Sequence, residues 1–196
     1  MPWAAALLLT LACPTGACEE GGTPAPGATR VIAVRARVRK DEGLASFCDV
    51  VAGKAPAHRL ALPALDQPPR WPVGQSRWVN VWATWCKPCV AEMPMLASWR
   101  DGLAQSSRPF ALVFISADET AEKLAAWRAM NPKIPPSLHL TRPDALQPWL
   151  ATLGLDQGAG LPIHIFADPA GQIRCVRAGA VSPAHRTLVS TLLKPQ

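Results

Sequence analysis

Two cysteines three positions apart, Cys86 and Cys89, lie in the run Trp82-Ala83-Thr84-Trp85-Cys86-Lys87-Pro88-Cys89, directly after the apolar segment Arg77 to Val81. The setting is a strand handing over to a helix, and the spacing lets both sulfurs share one helical turn. A disulfide can therefore close without backbone movement, while the helix N-terminus stabilises a thiolate on Cys86. This is the chemistry of a dithiol that cycles between thiol and disulfide. Cys86, at the helix start, is the exposed nucleophile, and Cys89, one turn deeper, is the resolving thiol. Lys87 between them favours the thiolate.

A C-x-x-C pair can also be half of a zinc site. No second Cys or His pair follows at metal spacing, since His139, His164 and Cys175 are scattered, so the residues favour redox chemistry and imply neither metal nor cofactor. His58, His139, His164 and His185 read as surface or locally bonded groups. A second element is Gly160-Leu161-Pro162-Ile163. Proline ahead of a strand commonly marks only an edge, whereas a cis Leu161-Pro162 bond would leave the Leu161 carbonyl and amide free to face a partner chain.

These residues resemble the thioredoxin superfamily, and more narrowly its TlpA/ResA-like branch of bacterial extracytoplasmic thiol-disulfide oxidoreductases. The resemblance spans about Ala57 to Leu193. It is carried by Asn80 through Cys89, by Glu92-Met93-Pro94, by Gly160-Leu161-Pro162 and by Ile165-Phe166-Ala167-Asp168-Pro169-Ala170-Gly171-Gln172-Ile173. It implies a cis Pro162 lying against the cysteines and keeping metals off them. It also implies that the Leu161 backbone pairs with substrate; Trp85, Lys87 and Pro88, beside Cys86 in the sequence, are the further candidate substrate-binding residues. Asn80 stands where a cytoplasmic thioredoxin carries a buried aspartate, and Glu92 where TlpA/ResA-like proteins carry an acid near the dithiol. Such an acid opposes ionisation of a neighbouring thiol and can relay its proton as Cys89 attacks. An exposed helix carboxylate is the competing reading of Glu92.

The implied function is reduction of disulfides in exported proteins, with apocytochrome c or a copper-site protein as candidate substrates and a membrane protein as electron donor. A dithiol oxidase would share every one of these residues, because relative potential sets the direction. A copper-binding or protein-docking module is the alternative of another class, since soft thiolates select Cu(I).

The elements that must position this chemistry follow from the pattern. Strands are expected at Arg77 to Ala83, Phe110 to Ser116 and Ser137 to Leu140. Helices are expected from Cys86 to about Ala104, Glu119 to Met130 and Asp144 to Leu153. A hairpin of Ile163 to Ala167 and Gln172 to Arg177 turns at Asp168-Pro169-Ala170-Gly171, and a last helix, Pro183 to Leu193, starts from Ser182 as its cap. The fold class is α/β: a thioredoxin-like fold with a central mixed β-sheet flanked by helices and an N-terminal strand-containing extension. Pro94 is expected to bend the first helix. Trp82 and Trp85 are expected to rim Cys86, with Trp71, Trp99, Trp127 and Trp149 in packing roles.

At 196 residues and 49% hydrophobic composition the chain accommodates one such domain, placed at 57–196, after a tether and extension at 19–56. Residues 1–18 read as a leader. Met1 to Ala12 is almost wholly apolar yet well short of the roughly 20 residues of a spanning helix. Cleaved secretion, lipidation at Cys13 or Cys18, and an uncleaved anchor all stand, and the first two place the domain in the periplasm or on the outer face of a bacterial membrane. Much of the +6 net charge falls in Arg30 to Lys40. There it alternates with apolar residues as on a solvated strand, without the aromatic platform of a nucleic-acid site. In an oxidising compartment the remaining pair, Cys48 and Cys175, can staple the extension to the sheet; two free buried thiols are the other reading.

Overall fold

The computed structural model describes residues 40–52, 59–104 and 110–194. The leader, the tether, the basic stretch 30–39 and His58 lie outside the described residues. The elements run α1 (Lys40–Phe47), β1 (Val50–Val51), β2 (Ser76–Trp82), α2 (Lys87–Ala104), β3 (Phe110–Ser116), α3 (Ala121–Met130), β4 (Ser137–His139), α4 (Leu146–Thr152), β5 (Ile163–Ala167), β6 (Ile173–Ala178) and α5 (Arg186–Leu192). Short 3-10 turns at Pro143–Ala145 and Pro183–His185 lead into α4 and α5.

The six strands form one sheet in the order β1-β6-β5-β2-β3-β4. β2, β3 and β4 are parallel, and β5, β6 and β1 join antiparallel on the other side of β2. Period-2 alternation sorts the central strands onto two faces. Trp78 and Trp82 of β2, Phe110 and Phe114 of β3 and Phe166 of β5 pack against Met93, Leu96 and Trp99 of α2, Leu124 of α3 and Val189 and Leu192 of α5. Val79, Val81, Ile115, Ile163 and Ile165 face the opposite way onto Trp149, Leu150 and Leu153 of α4 and onto Leu60, Leu62, Leu65 and Trp71 of the segment before β2. That segment is pinned by bridges from Arg59 to Gln172 and from Leu65 to Leu140. The sheet is thus covered on both sides, as parallel pairing requires.

Local chemistry sets the element ends. Thr120 caps α3 by accepting the Lys123 N–H at 3.2 Å. In the β5–β6 turn the Asp168 carboxylate accepts the Gln172 N–H at 2.8 Å, and Gly171 adopts φ +85°, with a substituent at its Cβ position meeting Arg77 Nη1 at 2.8 Å. α2 runs unbroken through Pro94.

α1 is a helix where no element was expected. Its eight residues, KDEGLASF, are too few and too weakly patterned to form a helix alone, and Gly43 weakens it further. Phe47 sits in the main core with Leu44 packed on it, so tertiary burial holds the helix. Among the described residues no helix is long and apolar enough to cross a membrane.

Candidate active site

β2 delivers its C-terminal end to the loop Ala83–Cys86. The loop is held from below by Asp118, which follows β3: its carboxylate accepts the Thr84 backbone N–H at 3.1 Å, the Thr84 hydroxyl at 2.6 Å and the Ser116 hydroxyl at 2.6 Å. α2 then begins directly after Cys86. Cys86 and Cys89 are joined by a disulfide with Cα atoms 5.3 Å apart, and the Cys89 N–H donates to Cys86 Sγ at 3.3 Å. The sulfur thus occupies a position where a helix N-terminus offers a donor to negative charge.

Cys86 retains only 5% of its surface and Cys89 none. The exposed nucleophile expected from sequence is nearly covered in the closed disulfide, although it remains the more accessible sulfur. Lys87 and Pro88 are exposed. Trp85 is 66% exposed, whereas Trp82 is fully buried. Trp82 therefore does not rim the site: its indole N–H donates to Ser137 Oγ at 3.0 Å and its ring packs on Trp127. Inward alternation in β2 decides this, because 78, 80 and 82 share the face that α2 covers.

The Leu161-Pro162 peptide bond is cis. Pro162 is buried and Leu161 half-buried. Ile163 pairs with Val81 and with Ala178, so the cis bond, the end of β2 and the end of β6 share one end of the sheet.

Glu92 lies three residues beyond Cys89 on α2 and is buried at 5% exposure, which overturns the exposed-carboxylate reading. Its Oε1 accepts from Asn80 Nδ2 at 3.0 Å, and its Oε2 accepts the Val181 N–H at 2.8 Å. His164, fully buried on β5 and cross-strand from Asn80, places Nε2 3.2 Å from Glu92 Oε1. His164 Nδ1 accepts the Trp78 indole N–H at 3.2 Å. Sequence reasoning missed both His164 and Asp118. The signal for His164 was its place in Ile163-His164-Ile165-Phe166, a strand apolar on both faces where any polar residue must be buried. His139 is also buried, with Nε2 2.9 Å from the Asp118 carbonyl.

Away from this end of the sheet, Cys48 and Cys175 form a disulfide with Cα atoms 5.5 Å apart. Arg177 lies over the Phe47 ring, 4.7 Å from its centroid, and donates to the Phe47 carbonyl at 2.7 Å.

The fold is thioredoxin-like: three parallel strands and an antiparallel hairpin in one sheet, a C-x-x-C disulfide where the first long strand meets its helix, and a cis X-Pro bond ahead of the antiparallel strand. Over 54 residues the chain is 35% identical to the thioredoxin-like protein YneN of Bacillus subtilis, a match covering 28% of this chain and 32% of that protein. The chain therefore matches about a third of this curated relative's length. No family model matches. Among solved structures, the thioredoxin domain of a thiol-disulfide oxidoreductase from Bacteroides vulgatus aligns with TM-score 0.49 at 19% identity, covering 62% of this chain and 81% of that one. StoA from Bacillus subtilis aligns with TM-score 0.47 at 17% identity, covering 62% and 84%.

Proposed function

We propose that this protein is an extracytoplasmic thiol-disulfide oxidoreductase that reduces disulfides in exported proteins. The observation that carries the reading is the Cys86–Cys89 disulfide at the start of α2 with the buried Glu92 carboxylate one turn further on. In this reading Cys86 attacks a substrate disulfide, one substrate sulfur leaving as thiolate and the other becoming joined to Cys86. Cys89 gives its proton to Glu92 and attacks Cys86 Sγ. The Cys86–Cys89 disulfide closes, and the second substrate thiolate leaves and takes a proton from water. Two electrons pass from protein to substrate, and a membrane-bound donor restores the dithiol.

Trp85, Lys87 and Pro88 provide the exposed surface beside Cys86. The Leu161 backbone pairs with the substrate chain, and Pro162 excludes metal ions. Apocytochrome c and copper-site proteins are the substrate classes we favour, in the periplasm or on the outer face of a bacterial membrane, with attachment through the N-terminal segment. The experiment is the equilibrium reduction potential of the Cys86–Cys89 pair. A value near or below about −220 mV supports a reductant, and one near −120 mV reverses the direction to an oxidant.

A further inference from the structure

We propose that His164 is a positioning residue for the dithiol exchange: its Nε2–H holds the Glu92 carboxylate in the state that takes the proton of Cys89. This rests on the oxidoreductase reading above and extends it to a residue that reading does not use.

The argument is one of donors and acceptors. An indole N–H can only donate, so the Trp78 N–H, 3.2 Å from His164 Nδ1, requires a lone pair there, and the ring hydrogen is on Nε2. Asn80 Nδ2, 3.4 Å from the same Nδ1, crowds that side with a second donor. Nε2 therefore points its hydrogen toward Glu92 Oε1 at 3.2 Å. The contact is close but is not a formed hydrogen bond, and Nε2 has no hydrogen-bond partner. A fully buried N–H left in that condition costs stability, and a small shift of the carboxylate would satisfy it. Two aromatic rings pack on the imidazole, Phe166 stacked at 6.4 Å and Trp78 at 5.9 Å, and these rings stack on each other at 5.1 Å.

The groups around the pair, element by element, are Cys89 on α2, Arg177 cross-strand on β6, and His185 in the 3-10 turn, whose titration is depressed by burial, by Arg177 and by His164. The Arg177 guanidinium is turned to the carbonyls of Phe47 and Ala180. Among the described residues, no hydrogen bond from Arg177 or His185 reaches Glu92. The donors that hold its carboxylate are the Asn80 amide and the Val181 N–H, with His164 Nε2 as the third polar group at hand. A donor to the ionised form favours that form, and the ionised carboxylate is what accepts the proton. The step balances as follows: the Cys89 S–H bond breaks, its proton goes to a Glu92 oxygen, and the sulfur electron pair forms the bond to Cys86 Sγ as the substrate thiolate leaves.

Two substitutions separate donor from packing. His164→Asn keeps an oxygen where Nδ1 accepts from Trp78 but removes the donor to Glu92. His164→Gln places an amide N–H where Nε2 stands. The full chain is reduced and mixed with an aromatic disulfide whose thiolate is coloured; the first release reports attack by Cys86 and the second reports resolution by Cys89. We expect H164N to slow the second release about tenfold near neutral pH, a fraction of what a general base contributes. We also expect it to move the acidic limb of that rate to higher pH and to leave the first release unchanged, with H164Q restoring the limb. Equal impairment in both variants would mean that His164 acts by packing alone and would overturn the proposal. If Glu92→Gln slows resolution while H164N does not, the proposal fails and the oxidoreductase reading stands. A Glu92→Gln variant that resolves at the unaltered rate would remove the role of Glu92 from that reading as well. Should H164N not fold, nitrogen NMR of the unaltered protein decides the point: the hydrogen must be found on Nε2, and finding it on Nδ1 overturns the proposal.

Discussion

Asp118 and Thr84 are bonded through both the backbone and the side chain of the threonine, the carboxylate taking the Thr84 N–H at 3.1 Å and its hydroxyl at 2.6 Å. Two residues later the chain reaches Cys86. The position of the nucleophile is therefore fixed by a buried acid on the neighbouring parallel strand's exit. Asp118→Ala removes the acceptor from several buried donors at once, each costing about 1–3 kcal/mol when left unpaired. Urea unfolding is expected to show a loss in that range or above. Thiol reactivity of Cys86 is expected to rise in parallel as the loop loosens.

The division of labour within the dithiol gives a covalent prediction. Cys89→Ser is expected to leave Cys86 in a stable mixed disulfide with a model disulfide substrate, seen as added mass, whereas Cys86→Ser gives none, because Cys89 has no exposed surface. Equal trapping by both variants would reverse the assignment.

Trp85 presents a large apolar ring to solvent beside the disulfide. Trp85→Ala is expected to lower kcat/KM for a disulfide-bonded protein substrate by a few-fold to about tenfold, the equivalent of roughly 0.5–1.5 kcal/mol of aromatic contact. Turnover of a small disulfide is expected to be unchanged. A uniform loss with both substrates would place Trp85 in loop stability instead.

His185 supplies a pH dependence whose sign is fixed. Burial, then Arg177 and His164, depress its titration below the ordinary 6.5. Its Nδ1 accepts the Ser182 N–H at 3.0 Å at the entry to α5, a bond that protonation breaks. Between the depressed folded value and 6.5 the unfolded chain binds more protons, so stability rises with pH through that window and falls as the solution is acidified below 6.5. His185→Gln keeps an acceptor at this capping position and does not titrate. Unfolding midpoints at pH 7.5 and at pH 5 should therefore differ less in the variant than in the parent.

The sequence makes the strand-helix alternation from Ser76 onward legible, because apolar runs bounded by turn residues carry their own periodicity. The C-x-x-C pair and the Asp168–Gly171 turn are equally local signals. α1 is not legible: with Gly43 inside eight residues it exists through the burial of Leu44 and Phe47, which no window of sequence contains. Trp82 and Trp85 look alike in the sequence; strand alternation sends one inward, and the loop leaves the other outside. His164 and Asp118 act through partners far along the chain, Glu92 being 72 positions from His164 and Thr84 being 34 from Asp118. Only the sheet register brings those partners together.

The disulfide between Cys48 and Cys175 closes a sequence separation of 127 residues. Replacing both residues by alanine is expected to cost about 2–5 kcal/mol in urea unfolding while leaving the Cys86–Cys89 pair reactive, since the two pairs share no sulfur.

β1 contributes only Val50 and Val51 to the sheet, and two residues of pairing would fray on their own. The cross-link beside them tethers this cover to β6, so that when its few hydrogen bonds open the strand stays close by and re-pairs. Protection of that edge against pairing with other chains is therefore conditional on the ambient thiol poise: secure where disulfides persist, and forfeited if the chain is held in a reducing compartment before it reaches one.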